Sequence, residues 1–426
     1  MAETRVYFVI DARSFYASVE AADRGLDPSG VDLVVADASR TEKTICLAVS
    51  PSLKAKGVKN RCRLFDVPKD PNIVIAKPRM KRYIEIAAGI YGIYLKYISK
   101  DDIHVYSIDE SILDVTTYLK LYNIRAKDFA LKLMDEIKQT YGIPTTAGIG
   151  TNMYLAKVAS GLMAKHDPQG VGWLNEEKFL KVCSNHRPIT DFWMTSVGTA
   201  TRLAKLGIYD MEGIRKADEN VLYKEFGINA ELLIDHAYGR EPTRMIDIKL
   251  YKSQSRGVTT NQILPCAYSF SDAKVILKEM IESACLDLAR KGYVSSRLGV
   301  AISYDGHYGR QRKPDVHYYV DISGKGNLAN LFMPIALEQY EKRTDRKLGI
   351  KAIAVGFSDV REEAAESFSL FDDTDEITKQ KNLRDSLLLI EEKFGKNAVL
   401  KGVDFTKNAT RRERNMMIGG HMGGDE

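Results

Sequence analysis

Apolar and polar positions alternate in two rhythms along the chain, and the first third mixes both. The apolar run "RVYFVI" (5–10) has β-type composition and leads into "SFYASVEAADR", which has helical spacing. Further strands are predicted near 32–36 and 44–49, a helix over 79–98, and a pair of strands around Asp109 and Glu110. Residues 123–141 form the most periodic stretch. Phe129, Leu133, Ile137 and Tyr141 recur every four positions, and Gly142 with Pro144 closes the helix. "TTAGIG" (145–150) is predicted as a short strand. "NMYLAKVASGLMAK" (152–165) reads as a helix whose small residues let it pack closely on a sheet.

From about residue 187 the texture changes to short helices with Gly at their joints, as in "SVGTATRLAKLGI" (196–208) and "EFGINAELLIDHAYGRE" (225–241). Residues 244–250 read as a linker. Beyond them comes strand–helix–strand–strand–helix–strand: "SQSRGVTT", a helix over 271–291, "SRLGVAISYD", "VHYYVDIS", a helix over 328–343, and "GIKAIAVGFSDV". Two helices against an alternating sheet make a small α+β domain. The tail from about 360 is acidic, then helical, then Gly-rich. The chain of 426 residues is too long for one ordinary core, so the expectation is an α+β protein of two to four domains.

Composition adds little until charge is followed along the chain. With 44% hydrophobic and 28% charged residues the protein reads as soluble and globular. Its net charge is only +5, but residues 244–355 carry 18 Lys and Arg against 11 Asp and Glu, a larger surplus than that of the whole chain. A basic module suits a polyanion such as DNA, although a solvated basic face reads the same way. Cys46, Cys62, Cys183, Cys266 and Cys285 are odd in number, widely spaced and without C-x-x-C, which indicates neither a disulfide framework nor a zinc site. The start "MAETRVYFVID" lacks the form of a signal peptide, and "YIEIAAGIYGIYLKYI" (83–98) is interrupted by Glu85 and Lys96, so no membrane span is expected. A reducing cytoplasm is the expected location.

"HVYSIDESILDV" (104–115) places Asp109 and Glu110 side by side among strand-forming residues. Neighbouring acids repel, and strands avoid them. Asp11 is a third acid, at the end of the first strand. Three carboxylates at strand ends suit divalent cations that clamp the attacking and leaving oxygens of a phosphoryl transfer. The polar tip of a β-hairpin also accommodates Asp109 and Glu110, and a nuclease or a nucleotidyl cyclase also satisfies three acids.

The neighbourhood of these acids narrows the choice. "VIDARSFYASVE" (9–20), "SIDE" (107–110), "GIGTNMYLAKVAS" (148–160), a degenerate helix-hairpin-helix at 196–208 and "RNMMIGGH" (414–421) together resemble the Y-family translesion DNA polymerases, in the UmuC/ImpB-like bacterial branch. The resemblance runs collinearly along nearly the whole chain. It implies a right-hand polymerase with palm and small fingers over 1–186, a helical thumb over 187–243, a DNA-binding little finger over 250–357 and a regulatory tail over 358–426.

The resemblance also implies roles. Asp11, Asp109 and Glu110 match catalytic ligands of two Mg²⁺ ions, with the carbonyl of Ala12 as a backbone ligand. Tyr16 matches a steric gate against the ribose 2′-hydroxyl, with Phe15 packed beside it. Lys157 matches a lysine that contacts the incoming triphosphate, whereas Lys165, beside "HDPQG", is expected on the surface. The implied partners are primer–template DNA, a dNTP and a sliding clamp, for a chain acting as a monomer.

Three departures stand out. Where many relatives grip the triphosphate with Tyr and Arg, "SPSLKAKGV" (50–58) has Pro51 and Lys54, which keeps a charge without a bidentate fork. Ser196-Val197-Gly198 lacks the first Gly of the usual hairpin turn. In "ESFSLFDD" (366–373), Phe368, Leu370 and Phe371 are similar to a clamp-docking peptide, but Ser367 stands where Gln is usual. The terminal "GGDE" is read as a loose tail rather than a cyclase signature. The expected activity is template-directed, error-prone synthesis past damaged bases. The rival is a DNA-binding or regulatory protein that keeps the fold without catalysis.

Overall fold

A computed structural model describes residues 5–253, 256–305, 315–365 and 373–424. It divides into two compact units, Met1–Tyr251 and Lys252–Asp425. The first is built on a five-stranded sheet in the order Ile103–Val105, Glu110–Asp114, Tyr7–Ala12, Thr145–Gly150, Val171–Leu174. Neighbours are antiparallel except the last pair, which is parallel. Side chains alternate across the strand Tyr7–Ala12. Phe8 meets Phe129 of the periodic helix Ala126–Tyr141 at 5.9 Å between ring centroids. Tyr7 and Val9 lie with Ile112, Met153 and Ala156 in a separate cluster. Asp11 therefore shares the face of Tyr7 and Val9.

That second face is covered at very short range, as the small residues of 152–165 predict. A Cβ built on Gly148 would lie 2.1 Å from the carbonyl oxygen of Ala156, and one on Gly150 would lie 2.2 Å from its nitrogen. The helix Met153–Val158 thus rests backbone against sheet. It continues as a wider π-helical stretch over Ala159–Ala164, whose carbonyl at Ala159 would meet a Cβ on Gly172 at 2.5 Å. The segment is helical throughout, but not as the single α-helix expected.

A small three-stranded sheet joins Leu33–Val35 to Ala48–Val49 and Val74–Ala76. The strand expected over 44–49 shrinks to its last two residues. Residues 44–46 instead pair across an isolated bridge between Ile45 and Arg63. Short helices follow from Glu176 and share a core of Tyr154, Phe179, Phe192, Leu203, Leu222 and Leu233.

Residues 245–250 are not a linker but a helix, Met245–Leu250. Its Met245 is buried against Tyr7 and Val9, and Lys249 Nζ donates to the carbonyls of Ile103 (2.6 Å) and Lys100 (2.9 Å). A spacing that looks like a linker therefore docks by two apolar residues, the buried Met245 and the half-buried Ile248, and one cationic anchor.

The second unit keeps the expected order of strands and helices. Its antiparallel sheet runs Val316–Gly326, Tyr293–Tyr304, Ile350–Ser358, Val258–Tyr268. The helices Phe270–Arg290 and Ala329–Arg343 share a core with it that includes Leu277, Leu298, Ile302, Phe332 and Val355. The tail forms a helix, Thr374–Phe394, and ends in a hairpin of Met417–Ile418 with His421–Met422. Gly423 still donates to the Met416 carbonyl at 3.0 Å, so the start of "GGDE" is held in place; Asp425 and Glu426 lie outside the described residues.

Gly148→Ala should lower the stability of the first unit by about 1–3 kcal/mol or more, since the backbone contacts leave no room for a methyl group. Gly92→Ala, in an open position of the helix Met80–Leu95, should instead be neutral or stabilising by up to ~1 kcal/mol. Urea unfolding followed by the fluorescence of Trp173 and Trp193, both in this unit, measures the two. Equal midpoints for the two variants would refute the close-packing account.

Candidate active site

The register of the sheet sets Asp11 directly opposite Glu110. Ala12 N–H donates to the Asp109 carbonyl at 2.9 Å, which draws the third acid to the same end of the strand. Like charges directly opposed in an antiparallel pair work against the sheet that holds them. Two partners relieve the strain. Lys157, on the close-packed helix, pairs with both oxygens of Glu110, and Ser107 Oγ donates to Asp109 Oδ1 at 2.6 Å. The Lys157 ammonium also lies 5.1 Å above the Tyr106 ring, whose hydroxyl accepts from Trp193 Nε1 at 3.0 Å.

Asp11 has no such relief. Burial, then the charges of Glu110 and Asp109, push its carboxyl up to about 6, with Lys165 and Lys157 acting in the opposite direction. Among the described residues no three carboxylate, imidazole or thiolate side chains converge around one ion position. The cause is visible in the partners: Glu110 is turned to Lys157 and Asp109 to Ser107. The donor set is nevertheless all oxygen and anionic, the chemistry that Mg²⁺ selects.

Three lysines act on the acids from different elements. Lys157, expected on a triphosphate, is engaged with Glu110. Lys165 is exposed, as expected, but its charge acts on both Asp11 and Lys54. Pro51 is the first residue of a short helix, Pro51–Ala55, where a missing N–H costs nothing. That helix carries Lys54, whose Nζ donates to Ser14 Oγ at 2.8 Å. Burial, followed by Lys165, lowers the Lys54 ammonium, while Asp11 acts to raise it.

Ser14 itself went unremarked in the sequence. It holds φ 47° and ψ 45°, the left-handed region that a non-glycine residue seldom occupies, between Asp11 and the helix Phe15–Ala22. Tyr16 stacks on Tyr83 with centroids 4.4 Å apart and planes 20° apart, and Phe15 is buried 5.7 Å from it. Tyr83 in turn donates to Glu20 Oε1 at 2.8 Å. Glu20 is wholly buried and bound by Arg79 Nε (2.9 Å) and by Arg24. A fully charged second layer thus fixes the platform under Tyr16. Phe368, Leu370 and Phe371 lie outside the described residues.

Residues 10–161 match the impB/mucB/samB family. The chain is 28% identical to UvrX of Bacillus subtilis strain 168, provisionally named a UV-damage repair protein, over 97% of this chain and 96% of that one. It is 27% identical to DNA polymerase IV 2 of the same strain, over 99% of this chain and all of that one. A solved Y-family DNA polymerase chimera of Dbh and Dpo4 superposes with a TM-score of 0.65 at 20% identity, covering 83% of this chain and 99% of its own.

Because the folded chain keeps a proton on Asp11 up to about pH 6, while an unfolded Asp releases it near pH 4, ionisation weakens the fold progressively between those values and fully above them. Asp11→Asn should therefore stabilise the metal-free protein at pH 7.5 by about 1–3 kcal/mol, discounted for partial solvent access. The gain should shrink as pH falls through 6 and vanish near 4. Urea midpoints across that range measure it, and a variant no more stable at pH 7.5 would remove the repulsion argument.

Proposed function

Since the chain belongs to the Y-family DNA polymerases, in the impB/mucB/samB group, we propose that it is a DNA-directed DNA polymerase that copies templates past damaged bases with low fidelity. The observation that carries this reading is the cross-strand opposition of Asp11 and Glu110, with Asp109 drawn to the same strand end. A fold tolerates such repulsion where the charge is needed for chemistry.

The reaction is attack of a primer 3′-hydroxyl on the α-phosphate of a dNTP, with pyrophosphate leaving. Asp11, Asp109, Glu110 and the Ala12 carbonyl would hold two Mg²⁺ ions, which supply charge stabilisation at the attacking and leaving oxygens. Lys157 balances the charge of Glu110 and supports its orientation. The triphosphate grip falls to Lys54 and Lys165, two cations that act on one another and on Asp11 from different elements. As point charges they bind phosphate without a bidentate fork, which sets position less tightly than Arg would. Tyr16, held flat by Tyr83, lies under the sugar and excludes a 2′-hydroxyl by contact.

In this reading residues 1–186 are palm and fingers, 187–243 a thumb and 250–357 a little finger on DNA, with a further segment over 358–426. The surplus of Lys and Arg in 244–355 meets phosphates without reading sequence. No described helix is long and apolar enough to cross a membrane, and the substrates are expected in the cytoplasm.

Asp109→Asn should lower primer extension with Mg²⁺ on the order of 10³-fold or more, with primer–template affinity nearly unchanged. Extension near the wild-type rate would overturn the carboxylate assignment. No extension by the wild type on any primed template would return the non-catalytic DNA-binding reading. Tyr16→Ala should raise the ratio of kcat/KM for ribonucleotides to that for deoxyribonucleotides. A loss of folding lowers both together and leaves that ratio alone, so an unchanged ratio would make Tyr16 a packing residue only.

A further inference from the structure

The segment between Ala36 and Val67 holds two thiols that the proposed chemistry does not use. Cys46 is fully buried, Cys62 is half-buried, and both are free thiols. Ile45 and Arg63 form an isolated antiparallel bridge. It is made by two hydrogen bonds, from Cys46 N–H to the Cys62 carbonyl (2.8 Å) and from Leu64 N–H to the Thr44 carbonyl (2.9 Å). This register puts Cys46 opposite Cys62, on the face away from Ile45 and Arg63. Both cysteines accordingly pack in one core with Val34, Val49, Leu53 and Val58. Opposed residues in an antiparallel ladder have Cα atoms about 5.5 Å apart or closer, within the span a disulfide prefers, about 5.5–6 Å at its mode and 4.4 Å at its lower end.

The two thiols also share a hydrogen bond, and the Cys46 thiol is pushed up to about 12, first by burial and then by its neighbour. Cys46 is therefore a poor first nucleophile, and Cys62, with solvent access, is the entry point. Once Cys62 is capped, the charge contribution from its thiolate is gone, and burial, with the charge of Asp66, holds back the second step.

We propose that Cys46 and Cys62 are a reversible modification site, at which a low-molecular-weight disulfide converts the opposed pair to an intramolecular disulfide that staples the segment carrying Lys54. The Cys62 thiolate attacks one sulfur of the reagent, whose S–S bond breaks and releases one thiolate. Cys46 then loses its proton and attacks Cys62 Sγ in the mixed disulfide, releasing the second. The protein pair gives up two electrons and two protons, and the reagent takes them as two thiols. The bridge encloses residues 47–61, including Pro51–Ala55, and holds that helix with Lys54 on Ser14. A triphosphate competes with Ser14 for Lys54, so the oxidised protein binds dNTP less well. This consequence rests on the assignment of Lys54 above, whereas the thiol chemistry does not.

The full chain is treated with oxidised glutathione, alkylated and digested without reductant. The expected product links the peptides of Cys46 and Cys62, lighter by two hydrogen atoms, and dithiothreitol reverses it. Cys62→Ser should leave Cys46 unmodified. Oxidation should raise the KM for dNTP severalfold with kcat little changed in the wild type, and do neither in Cys62→Ser. A persistent glutathione adduct on Cys62, or linkage to the exposed Cys266, would overturn the site itself. A complete Cys46–Cys62 bridge with an unchanged KM would overturn the coupling to Lys54. The mass readout is independent of polymerase activity, so failure of the functional reading and failure of the thiol pair are told apart.

Discussion

Two carboxylates that repel each other are held opposite by a strand register, and much of the first unit answers to that constraint. Asp11 and Glu110 cannot separate without breaking the ladder between Tyr7–Ala12 and Glu110–Asp114, in which five residue pairs are in register. Sheet pairing supplies the restoring force, since a slip of one residue would turn Phe8, Val9 and Ile10 to the wrong faces. The repulsion is moderated locally by a cation delivered from the helix that covers the same face of the sheet. Lys157 reaches Glu110 because its helix lies against the sheet at backbone distance, and it lies there because Gly148 and Gly150 have no side chains. The glycines, the helix and the acid pair are one structural unit.

The same economy governs the second layer. Tyr16 is placed by a stacked Tyr83, which is placed by Glu20, which is itself held by Arg79 and Arg24. Arg79 also bonds Asp23 (2.7 Å), so its guanidinium spans two carboxylates. Buried charges such as Glu20 contribute more to a unique arrangement than to net stability, because desolvation offsets much of the attraction. An arrangement of this kind suits the steric-gate role proposed for Tyr16. Ser14 extends the argument to the backbone. A left-handed residue between Asp11 and a helix start persists only where its surroundings over-determine it, and Lys54 is one of those surroundings.

How much of this was legible in the sequence depended on whether the signal was periodic or chemical. The strand–helix–strand–strand–helix–strand order was legible because its strands alternate and its helices repeat over many residues. Asp11, Asp109 and Glu110 were legible because acids are out of place in strands. Met245–Leu250 was not, because six residues between two domains give too short a window for periodicity, and its docking relies on only Met245, Ile248 and Lys249. The opposed thiols could not be found by spacing, since fifteen residues separate Cys46 from Cys62 and the bridge that aligns them is too short to read as a strand pair.

The tail shows a limit of hydrophobic periodicity itself. The helix Thr374–Phe394 buries Arg384 and Glu391, while Leu383, Leu389 and Phe394 stay exposed. Arg384 bonds Asn327 and, at 3.1 Å, Glu363; Glu391 accepts from Arg290 at 2.6 Å. Further on, Arg411 meets Glu282 at 3.0 Å, and Thr410 donates its N–H to the buried Glu279 at 3.2 Å. The inner face of this segment therefore mixes buried ionic groups with the half-buried Ile377, Leu387, Leu388 and Ile390, and its outer face is partly apolar. Ionic docking also accounts for why the segment reads as tail-like: it adds few apolar residues to the core of the second unit, so nothing in its composition announces that it is attached. What fixes it is directional, a set of guanidinium–carboxylate and amide bonds that lose their partners together if the helix turns about its axis.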